Sequence, residues 1–254
     1  MPGLAQRILS VWNRHVRVYG KNIISNGFPA FAEPLIFLTG IGLGLGVIIK
    51  EMDGVPYLQF LGSGLVISTA MMTSAFECSY GSFIRLEFEK VYDGMLAAPI
   101  SVRNLLVGEI LWAGTKGFFF SSAVLLVISA VGIFRVPQSL LVPFVGFLTG
   151  ILFASLSLVV TSWVKSIDQF SFYFTGLLSP MFFFSGIVFP LSSLPKPLQL
   201  MAELLPLTHP VRISRSIFFM RHDPLAWFDL LYMVVVTLVL AVIGIRRLTR
   251  KLID

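Results

Sequence analysis

Six apolar stretches, each close to the length of a membrane-spanning helix, divide this chain of 254 residues. A helix needs about 20 predominantly apolar residues to cross the hydrocarbon core of a bilayer. Only 13% of the residues are charged, whereas a soluble domain carries about a quarter. The sequence therefore predicts an all-α polytopic membrane protein with six transmembrane helices, over residues 28–49, 57–76, 102–134, 138–163, 170–189 and 225–245.

An even number of spans places both termini on the same side of the membrane. That side carries twelve lysines and arginines and the other side carries six, with Lys116, at a span boundary, counted in neither. Because positive residues favour the cytoplasmic side, we expect both termini of this multi-pass protein in the cytoplasm.

The first 27 residues are predicted to form an interfacial helix. Basic residues interrupt their apolar content, so we expect no signal peptide. An apolar stripe recurs there at helical spacing, comprising Leu4, Ile8, Val11, His15 and Val18. This pattern is typical of an amphipathic helix lying on an anionic membrane surface; a solvated basic tail is the alternative.

The connection over residues 190–224 contains two short apolar runs delimited by prolines. Both are too short to cross a bilayer, so we expect outer re-entrant or interfacial helices. Arg212 and Arg215 stand one helical turn apart in the second run. We expect them to contact a phosphate or sugar headgroup on the outer side, and simple snorkelling of the side chains is the alternative.

The glycines within residues 40–46 do not have the spacing of a nucleotide-binding loop. Small residues four positions apart, there and at Gly146 and Gly150, instead allow helices to pack closely, either within the bundle or at a subunit interface. No Walker A sequence, acidic magnesium-binding pair or serine triad is apparent, and Cys78 is the only cysteine. We therefore expect no catalytic residue, no cofactor and no metal ligand in this chain, and a surface or interface role for its scattered histidines.

The predicted spans hold almost no ionisable residue at mid-depth, which disfavours a transporter that is coupled to ions. We infer that the energy source lies in another polypeptide. Two alternatives stay open: a membrane-embedded enzyme acting on a lipid-linked substrate, and an ATP-independent secondary transporter.

The fifth predicted span concentrates aromatic residues around a proline. Aromatic faces pack against acyl chains and sugars, so this kinked segment suits a lateral gate or pathway for lipid-like or sugar-bearing cargo. Ordinary core or lipid-facing packing is the alternative for each aromatic residue. The candidate gate residues are Phe172, Tyr173, Pro180, Phe182, Phe183 and Phe184.

One strongly charged segment, residues 77–108, separates the second and third predicted spans and is positioned to contact a soluble motor subunit. Two of the chain's motifs resemble those of type-2 ABC exporter membrane permeases, especially the branch that exports nodulation lipo-oligosaccharides. The first is FEKVYDGMLAAPIS at residues 88–101, followed by Gly108-Glu109. The second is FFSGIVFP at residues 183–190, followed by Leu194-Pro195 and then LPLTHP at residues 205–210. Asp93 departs from the longer glutamate that we expect in that family.

The resemblance covers nearly the whole chain and implies a single permease domain over residues 1–254. Such a permease, in the bacterial inner membrane, exports amphipathic cargo such as a lipo-oligosaccharide, a glycolipid or other lipid, or a hydrophobic drug. It would pair with a second copy of itself, contact membrane lipids and bind two copies of an ABC ATPase that holds ATP and Mg. We expect no nucleic acid partner and no enzymatic activity in the permease itself.

The resemblance also assigns residues 88–101 to the coupling helix that fits a cleft on the ATPase. Its apolar residues are expected to form a knob ringed by charges, which the motor pushes. The predicted ATPase contacts are Phe88, Glu89, Lys90, Val91, Tyr92, Asp93, Met95, Leu96 and Pro99.

Overall fold

The computed structural model describes residues 3–21, 28, 32, 35–134 and 138–253, and these are almost entirely helical. In the described chain, four helices are long and apolar enough to cross a membrane: Tyr57–Phe88, Val102–Ala130, Ser139–Trp163 and Ala226–Leu252. They overlap the second, third, fourth and sixth predicted spans. The polytopic helical class is therefore confirmed, whereas the number of six spans is not.

The elements of the described residues alternate between long and short helices around one small hairpin. In chain order they are α1 (Leu4–Lys21), α2 (Leu35–Gly46), β1 (Glu51–Met52), β2 (Val55–Pro56), α3 (Tyr57–Phe88), α4 (Val91–Leu96), α5 (Val102–Ala130), α6 (Val142–Trp163), α7 (residues 170–184), α8 (Lys196–Glu203), α9 (Thr208–Phe218) and α10 (Ala226–Ile253). Short 3-10 turns, Gln138–Leu141, Ile167–Gln169 and Leu191–Ser193, lie before α6, α7 and α8. The strands β1 and β2 pair antiparallel.

The first and fifth predicted spans appear as shorter helices. Residues 29–31 and 33–34 of the first prediction lie outside the described residues, and the apolar helix α2 follows them. The fifth prediction extended to residue 189, but α7 ends at residue 184. Pro180 has no N–H to continue the helical ladder, and a π-helical turn over Phe174–Leu178 precedes it.

The bundle has two opposite faces. At the first, called the terminal face, Lys251 near the end of α10 lies 2.9 Å from Glu87 and 3.4 Å from the carbonyl oxygen of Val164 after α6. The other, called the hairpin face, carries β1–β2, α8 and α9. There Phe134, after α5, stacks on Phe218 of α9 at 4.2 Å between ring centroids. The long helices run between these two faces.

The main core lies between α3, α5 and α6, where side chains such as Leu61, Val124 and Phe153 are buried. A Cβ on Gly117 of α5 would lie 2.7 Å from the carbonyl oxygen of Gly146 on α6, so the two backbones are in direct contact. The close packing predicted for the small residues of the fourth span is thus confirmed. In contrast, only 17% of the most apolar stretch of α10 is buried.

The charged segment is mostly helical. α3 continues beyond Phe76 to Phe88, and α5 begins at Val102, where the Ser101 side chain accepts a hydrogen bond from the Asn104 N–H as an N-cap. Extensions of two long helices therefore flank the coupling segment. Only the stretch between these two helices, which contains α4, crosses the terminal face.

Candidate coupling site

Five ionisable side chains from α1, α3 and α5 form a continuous buried charge network close to α4. Arg85 lies 2.8 Å from Oε1 of Glu77 and 2.6 Å from Oε2 of Glu109. Lys116 lies 2.8 Å from the second oxygen of Glu77, and His15 Nε2 lies 2.9 Å from Oε1 of Glu109. Two carboxylates thus face two basic side chains, Arg85 and Lys116, and His15 adds a further hydrogen bond.

The burial of this network explains why its members must stay together. The Glu109 side chain is 0% exposed, and those of Arg85 and Lys116 are 14% and 15% exposed. A carboxylate removed from water is tolerated only when charges and hydrogen bonds replace its hydration. The three helices are therefore held in one relative position by their shared charges.

Lys116 stands near the middle of the helix Val102–Ala130, and its position relative to the membrane stays a prediction. His15 meets Glu109 at a separation of 94 residues, which is an interface role between two helices rather than a surface role. The scarcity of ionisable residues at mid-depth of the spans also stays a prediction, although α5 buries Glu109 and leaves the Lys116 side chain only 15% exposed. The sequence signal for this network is the presence of Glu109 and Lys116 within a mostly apolar helix.

Three members of the network resemble a metal site by distance alone. Ligand atoms of His15, Glu77 and Glu109 all lie within 4.8 Å of one another. The same carboxylate oxygens, however, already accept hydrogen bonds from Arg85 and Lys116. A divalent cation would have to displace two positive side chains, so we interpret the cluster as an ion-pair network.

The last turns of α3 place its two charged members on one side. π-helical turns occupy Glu77–Gly81 and Ile84–Phe88. In such widened turns a separation of eight residues corresponds to about two turns. Arg85 therefore stands over Glu77 and both side chains point toward α5.

α1 is attached to α5 by close packing as well as by charge. A Cβ on Gly108 would lie 2.6 Å from Cβ of Val11, so only glycine allows the two helices to approach this closely. The Trp12 indole N–H donates to Thr115 at 2.9 Å. Burial and the negative charge of Glu77 raise the pKa of Tyr19, near the end of α1, to about 12.

The predicted apolar stripe of α1 is divided between two environments. Val11 and His15 are buried against α5, whereas Leu4 and Val18 are 66% and 52% exposed. The stripe therefore packs partly on the protein, and its contact with a membrane surface stays a prediction.

Tyr92 anchors the short helix α4 to the bundle. Its side chain is 1% exposed and belongs to an apolar cluster with Leu86 and Leu105. Burial raises the pKa of the Tyr92 hydroxyl, and the negative charge of Glu109 adds to this effect. Met95 and Leu96, on the following turn, pack at the edge of the same cluster.

The side of the 88–101 segment that faces away from the bundle is exposed. Lys90 adopts a left-handed conformation with φ of 53°, which ends α3 and turns the chain into α4. Val91 is half-buried, and Phe88 is 65% exposed. Of the expected apolar knob, Met95 and Leu96 lie partly against the bundle, so Phe88 is the most prominent apolar side chain. The remaining outward-facing predicted contacts are Glu89, Lys90, Asp93 and Pro99.

The predicted gate residues on α7 are distributed over more than one environment. Tyr173 is buried, and its hydroxyl lies 2.9 Å from that of Ser157. Phe182 packs edge to face against Phe37 of α2, at 5.4 Å between centroids. The exposed members are Phe172, Pro180, Phe183 and Phe184.

At the hairpin face the two arginines predicted to contact headgroups have different partners. Arg212 forms ion pairs with Glu203 and Asp229. Although burial opposes its charge, the hydrogen bond that Arg212 donates to Glu203 and the charge of Asp229 raise the pKa of Arg212. Arg215 instead lies over the ring of Phe60, at 3.7 Å from its centroid.

The LPLTHP motif connects α9 to α10. His209 Nδ1 lies 2.7 Å from Oδ1 of Asp229, and its Nε2 lies 3.1 Å from the carbonyl oxygen of Glu203. The imidazole also stacks on Tyr232 at 3.8 Å between ring centroids. The histidine therefore holds the first turn of α9 against the first turns of the last long helix.

The fold and this site define a polytopic helical membrane protein with one surface helix anchored beside a buried charge network. The sequence matches the ABC-2 type transporter family over residues 6–219. The chain belongs to that family, and the resemblance to type-2 ABC exporter permeases is confirmed. Permeases of this family work with ABC ATPase partners.

Curated relatives cover most of the chain. Nodulation protein J of Sinorhizobium fredii (strain NBRC 101917 / NGR234) is 36% identical over 207 residues, which are 82% of this chain and 79% of the relative. Nodulation protein J of Rhizobium leguminosarum bv. trifolii is 36% identical over 217 residues, 85% of this chain and 83% of the relative. The inner membrane transport permease YadH of Escherichia coli (strain K12) is 24% identical over 204 residues, 79% of this chain and 78% of the relative.

Proposed function

We propose that this chain is the membrane subunit of an ATP-driven exporter that moves amphipathic cargo out of the cytoplasm or the inner leaflet. Two copies of the chain and two ATPase subunits form the transporter, with the chain termini in the cytoplasm. Relatives named for nodulation favour a lipo-oligosaccharide as the first cargo to test. A glycolipid, another lipid or a hydrophobic drug has the same amphipathic character.

The observation that carries this proposal is the arrangement of α4. The helix is anchored by the buried Tyr92, whereas Asp93 on the helix and Phe88 and Glu89 just before it are exposed to the surroundings. An exposed, charged helix with a rigid attachment is suited to bind a soluble subunit and to transfer its movement. A loop without such an anchor would absorb the movement instead.

The charge network determines which helices would follow a movement of α4. Tyr92 packs beside Leu86 of α3 and Leu105 of α5, and Arg85 joins those two helices through carboxylates. His15 adds α1 to the same unit. Displacement of α4 by a nucleotide-dependent change in the motor would therefore tilt α1, α3 and α5 together. Coupling of this kind requires contacts that differ between the two states of the motor.

ATP chemistry belongs to the partner in this proposal. The chain lacks a phosphate-binding loop sequence, so ATP and Mg are held by the ATPase subunits. The permease contributes the pathway and the surface on which the ATPase acts.

The test is reconstitution of the chain with its ATPase subunit in lipid vesicles, followed by measurement of ATP hydrolysis and cargo movement. The double charge reversal Glu89→Lys and Asp93→Lys is expected to abolish stimulation of the ATPase by the permease. The matched control is Asp168→Lys, which reverses an exposed charge that lies outside the α4 segment. Equal activity of the double variant and the control would refute coupling through α4.

A further inference from the structure

A cleft of about 410 Å³ opens at the hairpin face between β1–β2, the segment after α7 and α9. Two of its arginines are neutralised by carboxylates. Arg212 pairs with Glu203 and Asp229. Arg221 pairs with Asp53 at 3.1 Å. The arginines that line the cleft are Arg212, Arg215 and Arg221.

Arg215 has no carboxylate within ion-pair distance in the described part of the chain. Its guanidinium covers the Phe60 ring and makes long contacts to neutral oxygens, 3.4 Å to the Ser63 hydroxyl and 3.3 Å to the Ile187 carbonyl. Burial lowers the pKa of Arg215 to about 9, even though the negative charge of Asp53 opposes this. Arg215 is half-buried, and a cation partly removed from water with no carboxylate in direct contact is costly. An anion that enters the cleft would remove this cost.

A polar group without a hydrogen-bond partner lines the same cleft. The Ser185 hydroxyl is buried and has no hydrogen-bond partner among the described residues. The next residue, Gly186, has φ of 83°, and a Cβ built on it would lie 3.5 Å from Nη1 of Arg215. The hydroxyl and the guanidinium therefore belong to the same part of the cleft wall.

We infer that this cleft binds a phosphate group whose oxygens accept hydrogen bonds from Arg215 and Ser185. Phosphate offers several anionic acceptors, which suit a guanidinium and a neighbouring hydroxyl together. The cleft lies at the end of the helical bundle, and a span that crosses the hydrocarbon core ends at the level of the headgroup phosphates. Both an anionic phospholipid and free phosphate present this chemistry.

The inference sharpens the predicted headgroup contact by separating its two arginines. Arg215 is the ligand, and Arg212 is a structural residue that joins α9 to α8 and α10. Binding does not require ATP hydrolysis or the ATPase. Failure of this inference would therefore leave the proposed export function untouched, and the reverse also holds.

The experiment is thermal unfolding of the purified full-length protein in phosphate-free neutral detergent. The protein is titrated with phosphatidylglycerol, with diacylglycerol of the same acyl chains, or with inorganic phosphate. We expect the unfolding midpoint to rise with phosphatidylglycerol and not with diacylglycerol. A rise with inorganic phosphate as well identifies a site for small anions, and a rise with the lipid alone identifies a headgroup site. Equal effects of the two lipids would overturn the inference.

Variants connect the effect to the cleft. Arg215→Gln is expected to weaken the apparent affinity about ten- to a hundredfold, as for the loss of a charged hydrogen bond. Ser185→Ala is expected to weaken it about two- to tenfold. Lys196→Gln removes an exposed charge that lies outside the cleft, on the same face, and should leave binding unchanged.

If Arg215→Gln does not fold, Arg215→Lys and Ser185→Ala decide the question. The lysine variant keeps the charge but not the planar set of donors, so it should retain part of the affinity. Binding that is unaltered in both of these variants, or lowered equally by Lys196→Gln, would refute the site.

Discussion

The Nε2 atom of His15 lies 2.9 Å from Oε1 of the completely buried Glu109, across a separation of 94 residues. A carboxylate oxygen accepts, so Nε2 is the donor in this hydrogen bond. The contact attaches α1 to α5, and Arg85 extends the connection from Glu109 to α3. Glu109 thus connects three helices, because its carboxylate on α5 contacts both His15 of α1 and Arg85 of α3.

Glu109→Gln should therefore destabilise the protein strongly. The substitution leaves Arg85 with Glu77 as its remaining acidic partner in the network and removes the anion that His15 faces. The loss of one partner from a buried ion pair costs roughly 3–5 kcal/mol, measurable by denaturant unfolding in detergent. The control is Glu87→Gln, whose half-exposed pair with Lys251 should contribute less than about 1 kcal/mol. Similar losses for the two variants would contradict a stabilising network.

Gly108→Ala should release α1 from α5. The added methyl group would lie 2.6 Å from Cβ of Val11, and overpacking of this kind costs about 1–3 kcal/mol. We expect faster trypsin cleavage within α1, at Arg14 and Arg17, in the folded protein. Gly94→Ala serves as the control because a Cβ there meets nothing within 4 Å, and its cleavage pattern should match the wild type.

Tyr92→Ala should disrupt the coupling between the permease and its ATPase. The substitution removes the side chain that anchors α4, and truncation of a large buried aromatic residue costs about 3–5 kcal/mol. We expect loss of permease-dependent ATPase activity in the reconstituted complex. Tyr92→Phe keeps the ring and should retain most of that activity. If the alanine variant folds and stimulates the ATPase normally, α4 does not act through this anchor.

Asp229→Asn should loosen the hairpin face. It removes the negative charge shared by His209 and Arg212. The buried His209 loses its acidic partner and Arg212 keeps Glu203, at a cost on the order of 3–5 kcal/mol. The unfolding midpoint should fall accordingly. Asp223→Asn is the comparison, since that side chain accepts from the Leu225 N–H at 2.9 Å and asparagine keeps an oxygen that can accept the same bond, so stability should change little.

The long helices were predictable because hydrophobic length is a local property. The apolar runs that became α3, α5, α6 and α10 are visible without any knowledge of their neighbours. The close packing of α5 on α6 was also accessible, since the spacing of Gly146 and Gly150 produces a smooth stripe on one helix face. Helix ends were harder to predict. α3 continues through Glu77 and Arg85, whose charges are neutralised by residues of α5.

The polar sites were not predictable, because their members come from distant parts of the chain. Nothing in the sequence around His15 or around Glu109 indicates that these two side chains are in contact. Arg212 and Arg215 look equivalent in the sequence, and only the positions of Glu203 and Asp229 distinguish them. The β1–β2 hairpin did have a local signal, an Asp-Gly pair at its turn, which favours a two-residue hairpin.

The widened turns at the end of α3 set the direction in which the coupling segment leaves the bundle. A π-helical turn closes on the fifth residue, whereas an α-helical turn closes on the fourth. Each extra residue in a helix rotates everything that follows by about 100° around its axis. The position of Phe88 is therefore specified by the number of residues between Glu77 and Phe88 as much as by their chemistry. Deletion of one uncharged residue in that stretch would keep every charge and yet point the proposed ATPase-binding surface in another direction.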